Sequence, residues 1–249
     1  MAKARPEPLT VVLVADILKS IMDKYLLQRL RPMVLRLREP VNGLSHLVGA
    51  ILSVIALAVL VTLAAKEATA WHVVSFSIYG SSMVLLYTAS SLYHMLPLSE
   101  KGTRIFRAID HIMIYMLIAG TYTPFCLVAI RGGWGWSIFG AAWGMALVGM
   151  IFTLVWMDAP RWLTTIFYLS MGWLCVVAIY PLVQAIPLGG MLWLAGGGLS
   201  YTIGAAIYGF KKPDPWPGIL GFHEIFHFFV LGGSFCHFWL MYSYILDMP

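Results

Sequence analysis

Five side chains in an otherwise apolar chain are of types that do chemistry together: Ser90, His94, Asp110, His223 and His227. His223 and His227 are four residues apart, so on a helix they share one face, a turn apart. Ser90 and His94 have the same spacing. Three neutral imidazoles with one position left open are the ligand set of a catalytic-type zinc centre, whereas a closed structural centre usually takes four protein ligands. A carboxylate beside such a centre, here Asp110, can hold or deprotonate a metal-bound water, whose pKa zinc lowers to about 7. The run His223-Glu224-Ile225-Phe226-His227 also fits the H-E-x-x-H pattern of zinc metalloproteases, where the glutamate is the general base. Plainer readings stand beside these. A lone histidine in an apolar run is more often a hydrogen-bonded packing residue. Asp110 could form a structural ion pair with Arg104 or Arg107. Haem also takes imidazoles, though generally from facing helices rather than four residues apart on one.

The elements that must position these residues are membrane spans. The chain of 249 residues is 60% hydrophobic and 11% charged, against about 25% charged in a soluble domain. Mean hydropathy is +0.83. Apolar runs recur along nearly the whole length, which predicts an all-α polytopic membrane protein with seven transmembrane helices. The spans fall at about 43–65, 71–96, 106–130, 134–156, 162–183, 190–210 and 218–245, separated by short breaks rich in Pro, Gly and charge. Loops this short make sequence neighbours spatial neighbours. Of the 16 Lys and Arg, fourteen fall before span 1 or in loops 2–3, 4–5 and 6–7, and two, Lys66 and Arg131, on the other side. That bias puts the N-terminus in the cytoplasm and the C-terminus outside. The expected organisation is a cytoplasmic segment, 1–38, followed by a seven-helix transmembrane domain, 39–249. Residues 10–31 carry a polar stripe at helical spacing and read as an amphipathic helix, either on the inner membrane surface or folded back on the bundle. No signal peptide is expected, because the charged start lacks an apolar stretch with a cleavage site.

The net charge of +5 follows from this topology, and no nucleic-acid motif accompanies it, so no nucleic-acid partner is expected. Cys126, Cys175 and Cys236 sit singly in apolar runs and read as packing residues. Trp71, Trp134, Trp136, Trp162 and Trp216 fall near span ends, where indoles anchor at the interface. Gly140-x-x-x-Gly144 and Ala205-x-x-x-Gly209 allow close helix approach, expected within the bundle rather than in a dimer. Tyr93 and Phe226 either line a cavity or, as is the simpler expectation, are ordinary packing residues.

Helix rise sets the depth of each polar group. His94 lies near the cytoplasmic end of span 2, just before Pro97. Asp110 lies roughly 4–5 Å beyond Arg107, and His223 and His227 roughly 9–15 Å into span 7. These residues therefore share one cytoplasmic-side layer. His46 and His111 lie on this side too, but His111 points about 100° from Asp110 and is expected to face elsewhere. His72 and His237 lie towards the other face. Ionisable groups in hydrocarbon are costly and are functional candidates by default. A protease would need a third ligand after His227; His237 is roughly 15 Å further along and Asp247 is near the opposite face. The third ligand must come from upstream, from His94, so the H-E-x-x-H match is read as coincidence. Glu224 is then either an alternative base or a residue facing the headgroups.

The runs SSLYHMLPLSEKGTRIFRAIDH (90–111) and HEIFH (223–227), with the opening REPVNGLSHLVGA (38–50), resemble the haemolysin III branch of the PAQR (progestin and adipoQ receptor) family. That family is grouped in the CREST superfamily, together with the alkaline ceramidases. The superfamily pattern is Ser-x-x-x-His ending span 2, Asp opening span 3 and His-x-x-x-His in span 7. The resemblance implies zinc held by His94, His223 and His227, Asp110 contacting the zinc-bound water and Ser90 helping to position it. It also implies seven helices with the N-terminus inside. The expected function is a zinc-dependent hydrolase of a lipid amide or ester in the inner membrane, with a membrane lipid as partner. The alternatives are a receptor-like or membrane-homeostasis protein with structural zinc, or a lytic pore. A pore needs a polar path through spans 4–6, which are almost wholly apolar.

Overall fold

The computed structural model describes residues 37–216 and 219–249; the expected amphipathic helix at 10–31 lies outside them. Among the described residues the chain is all-helical, without a strand. The helices are α1 (Pro40–Glu67), α2 (Ala70–Met95), α3 (Glu100–Pro124), α4 (Gly133–Val155), α5 (Arg161–Gly172), α6 (Ile179–Ala185), α7 (Leu188–Phe210) and α8 (Phe222–Leu240). Five-residue π-helical turns extend α3 to Ala129 and α8 to Ile245. Six helices are long and apolar enough to cross a bilayer. The seventh expected span is the bent pair formed by Arg161–Val176 and Ile179–Ala185, which meet at 55°.

The bend corrects the reading of 162–183 as one continuous span, and Pro181 accounts for it. Proline three residues into α6 supplies no amide to the preceding turn and its ring crowds the carbonyl four residues back. Backbone polar groups freed in this way need partners inside the protein when water is absent. The turn where Arg161–Gly172 ends, just before the bend, is served by the Tyr122 hydroxyl, which lies 2.9 Å from the Met171 carbonyl and 2.7 Å from that of Gly172 and accepts from the Cys175 amide at 2.8 Å.

Sequence neighbours do pack together. α1 lies on α2, α2 on α3, α3 on α4 and α7 on α8, and α8 returns to α1 to close the bundle. The α1–α2 crossing depends on small residues, since a Cβ on Gly43 would overlap Met95 and one on Gly80 would sit 2.9 Å from Leu57 Cβ. Gly140 and Gly144, in contrast, meet nothing within 4 Å and lie on an exposed face of α4, so this pair does not serve packing inside the bundle. α2, α7 and α8 are tied by Ser234, whose hydroxyl bonds Tyr87 Oη at 2.6 Å and Tyr201 Oη at 2.8 Å.

Large apolar side chains cover the outside, with Val155 82%, Phe210 80% and Leu188 76% exposed. Apolar patches of this extent need a covering, and helices that satisfy their own backbone need no water to do so. Trp71, Trp134, Trp136, Trp162 and Trp216 are all exposed near helix ends, as interfacial anchors are.

Candidate metal centre

Local signals bring three chain ends to one end of the bundle. Pro97 forbids continuation of α2, and Leu96 before it is extended, which leaves His94 in the last turn. Ser99 then caps α3, its hydroxyl accepting from the Gly102 amide at 3.3 Å, and the helix delivers Asp110 three turns later. Pro40 occupies the first turn of α1, where its missing amide costs nothing. The backbone before it is pinned to the end of α2, with the Glu39 amide donating to the His94 carbonyl at 3.0 Å. α8 starts at Phe222 after Gly221, and Glu224 closes its first turn by accepting the Gly221 amide at 2.8 Å.

The outcome is a cluster in which His94, His223 and His227 each present a ring nitrogen, all within 4.8 Å of one another. Ring centroids are 4.8–5.0 Å apart. His94 and His227 are buried and His223 is half-buried. The donor set fits a transition-metal ion on an observation of its own: His94 Nε2 is buried without a hydrogen-bond partner, while the same ring's Nδ1 lies 2.6 Å from Glu39 Oε2. A carboxylate on the far nitrogen of a histidine fixes the tautomer that leaves the near nitrogen free for a metal. Three imidazoles suit several transition metals.

Glu39 belongs to a network that sequence spacing does not announce. Burial pushes its carboxyl up, but its hydrogen bond with His94, the charge of Arg38 and a bond from Asn42 together hold it down at about 2, so it is ionised. Asn42 Nδ2 bonds Glu39 Oε2 at 3.2 Å and Glu224 Oε1 at 2.7 Å. Glu224, the glutamate of H-E-x-x-H, is half-buried; it closes the first turn of α8 and bonds α1 through Asn42. The signals for Glu39 in the sequence are its place in the opening REPVNGLSHLVGA (38–50), which shares in the family resemblance, and a carboxylate immediately before Pro40.

A cavity of about 690 Å³ opens beside the cluster and continues into the bundle. Ser90, Asp110, His223 and His227 line one end of it, and Leu117, Ile138, Leu182 and Met191 line the deeper part. Asp110 and Ser90 are both buried. Arg104 and Arg107 pair with Asp158, each at 3.5 Å, rather than with Asp110. His111 also lines the cavity, against the expectation that it faces elsewhere, because the inward face of α3 is wide enough to include both residues. Tyr93 and Phe226, expected to be packing residues, line it as well. His46 stacks on His227 with centroids 3.6 Å apart and, among the described residues, has no hydrogen-bond partner on either nitrogen. Of the two histidines expected at the other face, His72 bonds the Ile245 carbonyl at 3.0 Å, and His237 faces the deep part of the cavity beside Gly197.

Apolar helices closed around a buried three-histidine cluster define a multi-pass integral membrane protein with a candidate metal centre. The chain belongs to the family described as "Haemolysin-III related", whose model matches residues 35–238. It is 41% identical to Hemolysin-3 of Bacillus cereus over 209 residues, covering 84% of this chain and 92% of that protein. It is 39% identical to the Hemolysin-3 homolog of Bacillus subtilis (strain 168) over 211 residues, covering 85% and 96%. The human monocyte to macrophage differentiation factor is 26% identical over 184 residues, covering 72% and 74%. This agrees with the resemblance to the haemolysin III branch of the PAQR family.

Proposed function

We propose that this protein is a zinc-dependent hydrolase that cleaves an amide or ester of a membrane lipid from the cytoplasmic leaflet. The observation that carries the reading is the placement of three free imidazoles, a buried carboxylate and a serine at one end of a largely apolar cavity. An acyl chain fits the apolar part and leaves its carbonyl beside the histidines. The orientation rests on the Lys and Arg bias, which puts the site's end of the bundle inside.

His94, His223 and His227 would hold the ion. Bound zinc supplies Lewis-acid chemistry, polarising a carbonyl and lowering the pKa of water. Asp110 takes the proton of the attacking water and returns it to the leaving nitrogen or oxygen. Ser90 orients that water or hydrogen-bonds the oxyanion. The cavity walls exclude bulk water and hold the chain. Hydrolysis balances simply: the water's oxygen bonds the carbonyl carbon, the C–N or C–O bond breaks, and the proton leaves with the amine or alcohol.

The test is metal content by mass spectrometry on detergent-purified protein prepared without nickel, wild type beside His227→Ala. About one zinc per chain, lost in the variant, supports the reading and is followed by a screen for fatty-acid release from amide and ester lipids. No metal in either, even after zinc is added, sinks it.

A further inference from the structure

The mouth of the cavity carries a charge that neither the metal centre nor the proposed chemistry uses. Arg161 opens α5, and its guanidinium lies 4.6 Å from the ring centroid of Tyr208 and 5.3 Å from that of Phe222. Among the described residues its Nη1 is buried with no hydrogen-bond partner, and no carboxylate is within ion-pair distance of it. An unpartnered buried donor is costly, and more so when charged. Arg161 lines the cavity at the end that also holds Arg107, Asp110, His111 and His223.

Basic residues at a membrane surface commonly do no more than set topology. Exposed residues such as Lys101 and Lys211 fit that role. Arg161 differs from them because it is half-buried, held between two aromatic faces and turned into the cavity. The nearby carboxylates are committed elsewhere. Asp158, exposed, takes Arg104 and Arg107, while Glu39 takes His94 and Arg38. Glu39 and Asp110 are the carboxylates that line the cavity, and neither bonds Arg161 or Arg107.

We propose that Arg161, with Arg107, which lines the same cavity and is paired only with the exposed Asp158, forms a subsite at the cavity mouth for an anionic oxygen group of phosphate type, carried as the headgroup of the lipid whose tail fills the cavity. The guanidinium fork matches two phosphate oxygens at once, which an ammonium cannot do. Anionic lipids are also the ones a basic, inward-facing site meets in the cytoplasmic leaflet. The subsite rests on the lipid-hydrolase reading for the tail's position, but it needs no turnover to be occupied.

The test is binding to the full-length protein in neutral detergent, read as the shift in unfolding temperature on titration. The probes are dioleoyl phosphatidate, dioleoylglycerol with the same tails and no phosphate, and inorganic phosphate. The proteins are wild type, Arg161→Gln, Arg107→Gln and the exposed control Lys101→Gln, each first checked for its unliganded unfolding temperature. Phosphatidate should bind wild type and Lys101→Gln at least tenfold more tightly than dioleoylglycerol does. Arg161→Gln should abolish that preference and Arg107→Gln should reduce it. An Arg161-dependent shift with inorganic phosphate alone supports the anion subsite and assigns it a soluble source. Equal binding of the two lipids to wild type, or a preference that survives in both arginine variants, overturns it. Fatty-acid release is followed in the same samples, so that phosphatidate bound through Arg161 without any release leaves the subsite standing and counts against hydrolysis alone.

Discussion

Replacing Glu39 should weaken metal binding without touching any ligand. Its Oε2 lies 2.6 Å from His94 Nδ1, a short, charge-assisted contact that holds the ring with Nε2 towards the other two histidines. Removing such a partner typically costs about 10–100-fold in metal affinity. Two features place Glu39→Gln at the lower end. The amide keeps an acceptor oxygen, and the carboxylate's side chain is 37% exposed, so solvent screens part of the charge. The expectation is a loss of about tenfold, or about 1.4 kcal/mol. Glu39→Ala leaves Nδ1 with no acceptor and also frees Asn42, which keeps only its Glu224 bond, so the loss should approach about a hundredfold. The assay is competition for zinc against a chromophoric chelator, with His94→Ala as the complete loss and the exposed Glu100→Gln as the control. If both Glu39 variants hold zinc as tightly as wild type, the carboxylate does not set the His94 tautomer and the reasoning fails.

Further expectations come from the same contacts. Asp110→Asn should leave zinc content unchanged and abolish fatty-acid release, and release at the wild-type rate would remove Asp110 from the chemistry. Chelation should lower the unfolding temperature and zinc restore it, since a ligand at 100 times its Kd adds about 2.7 kcal/mol; His94→Ala should show no such response. Gly149→Ala drives a methyl into the fully buried Tyr115 ring and should cost about 1–3 kcal/mol, read as a lower unfolding temperature. Gly144→Ala, which meets nothing, should not lower it. Ser234→Ala leaves the Tyr201 hydroxyl without its partner and Tyr87 Oη with only the Val230 carbonyl at 3.4 Å, and should lower the unfolding temperature by the equivalent of about 1–3 kcal/mol for the one group left unpaired.

Much of this protein is written in one dimension. A helix in hydrocarbon satisfies its own backbone, so length and apolarity are enough to place a span, and six of the seven expected spans appear as single helices. Depth is equally local, because rise per residue is constant. That is why His94, Asp110, His223 and His227 could be assigned to one layer before any contact was known. The direction in which a side chain turns is different. Most of these helices are apolar on nearly every face, so their periodicity does not say which face meets the cavity and which meets lipid. Packing decided that His111 faces inward with Asp110, that Gly140 and Gly144 face outward, and that Arg161 turns into the mouth. Packing also decided that the H-E-x-x-H glutamate caps a helix and bonds Asn42, and that Glu39, 55 residues before His94, is its hydrogen-bond partner. Sequence spacing determines the depth of a group in the membrane; only the crossing of helices distant in the chain determines what it touches there.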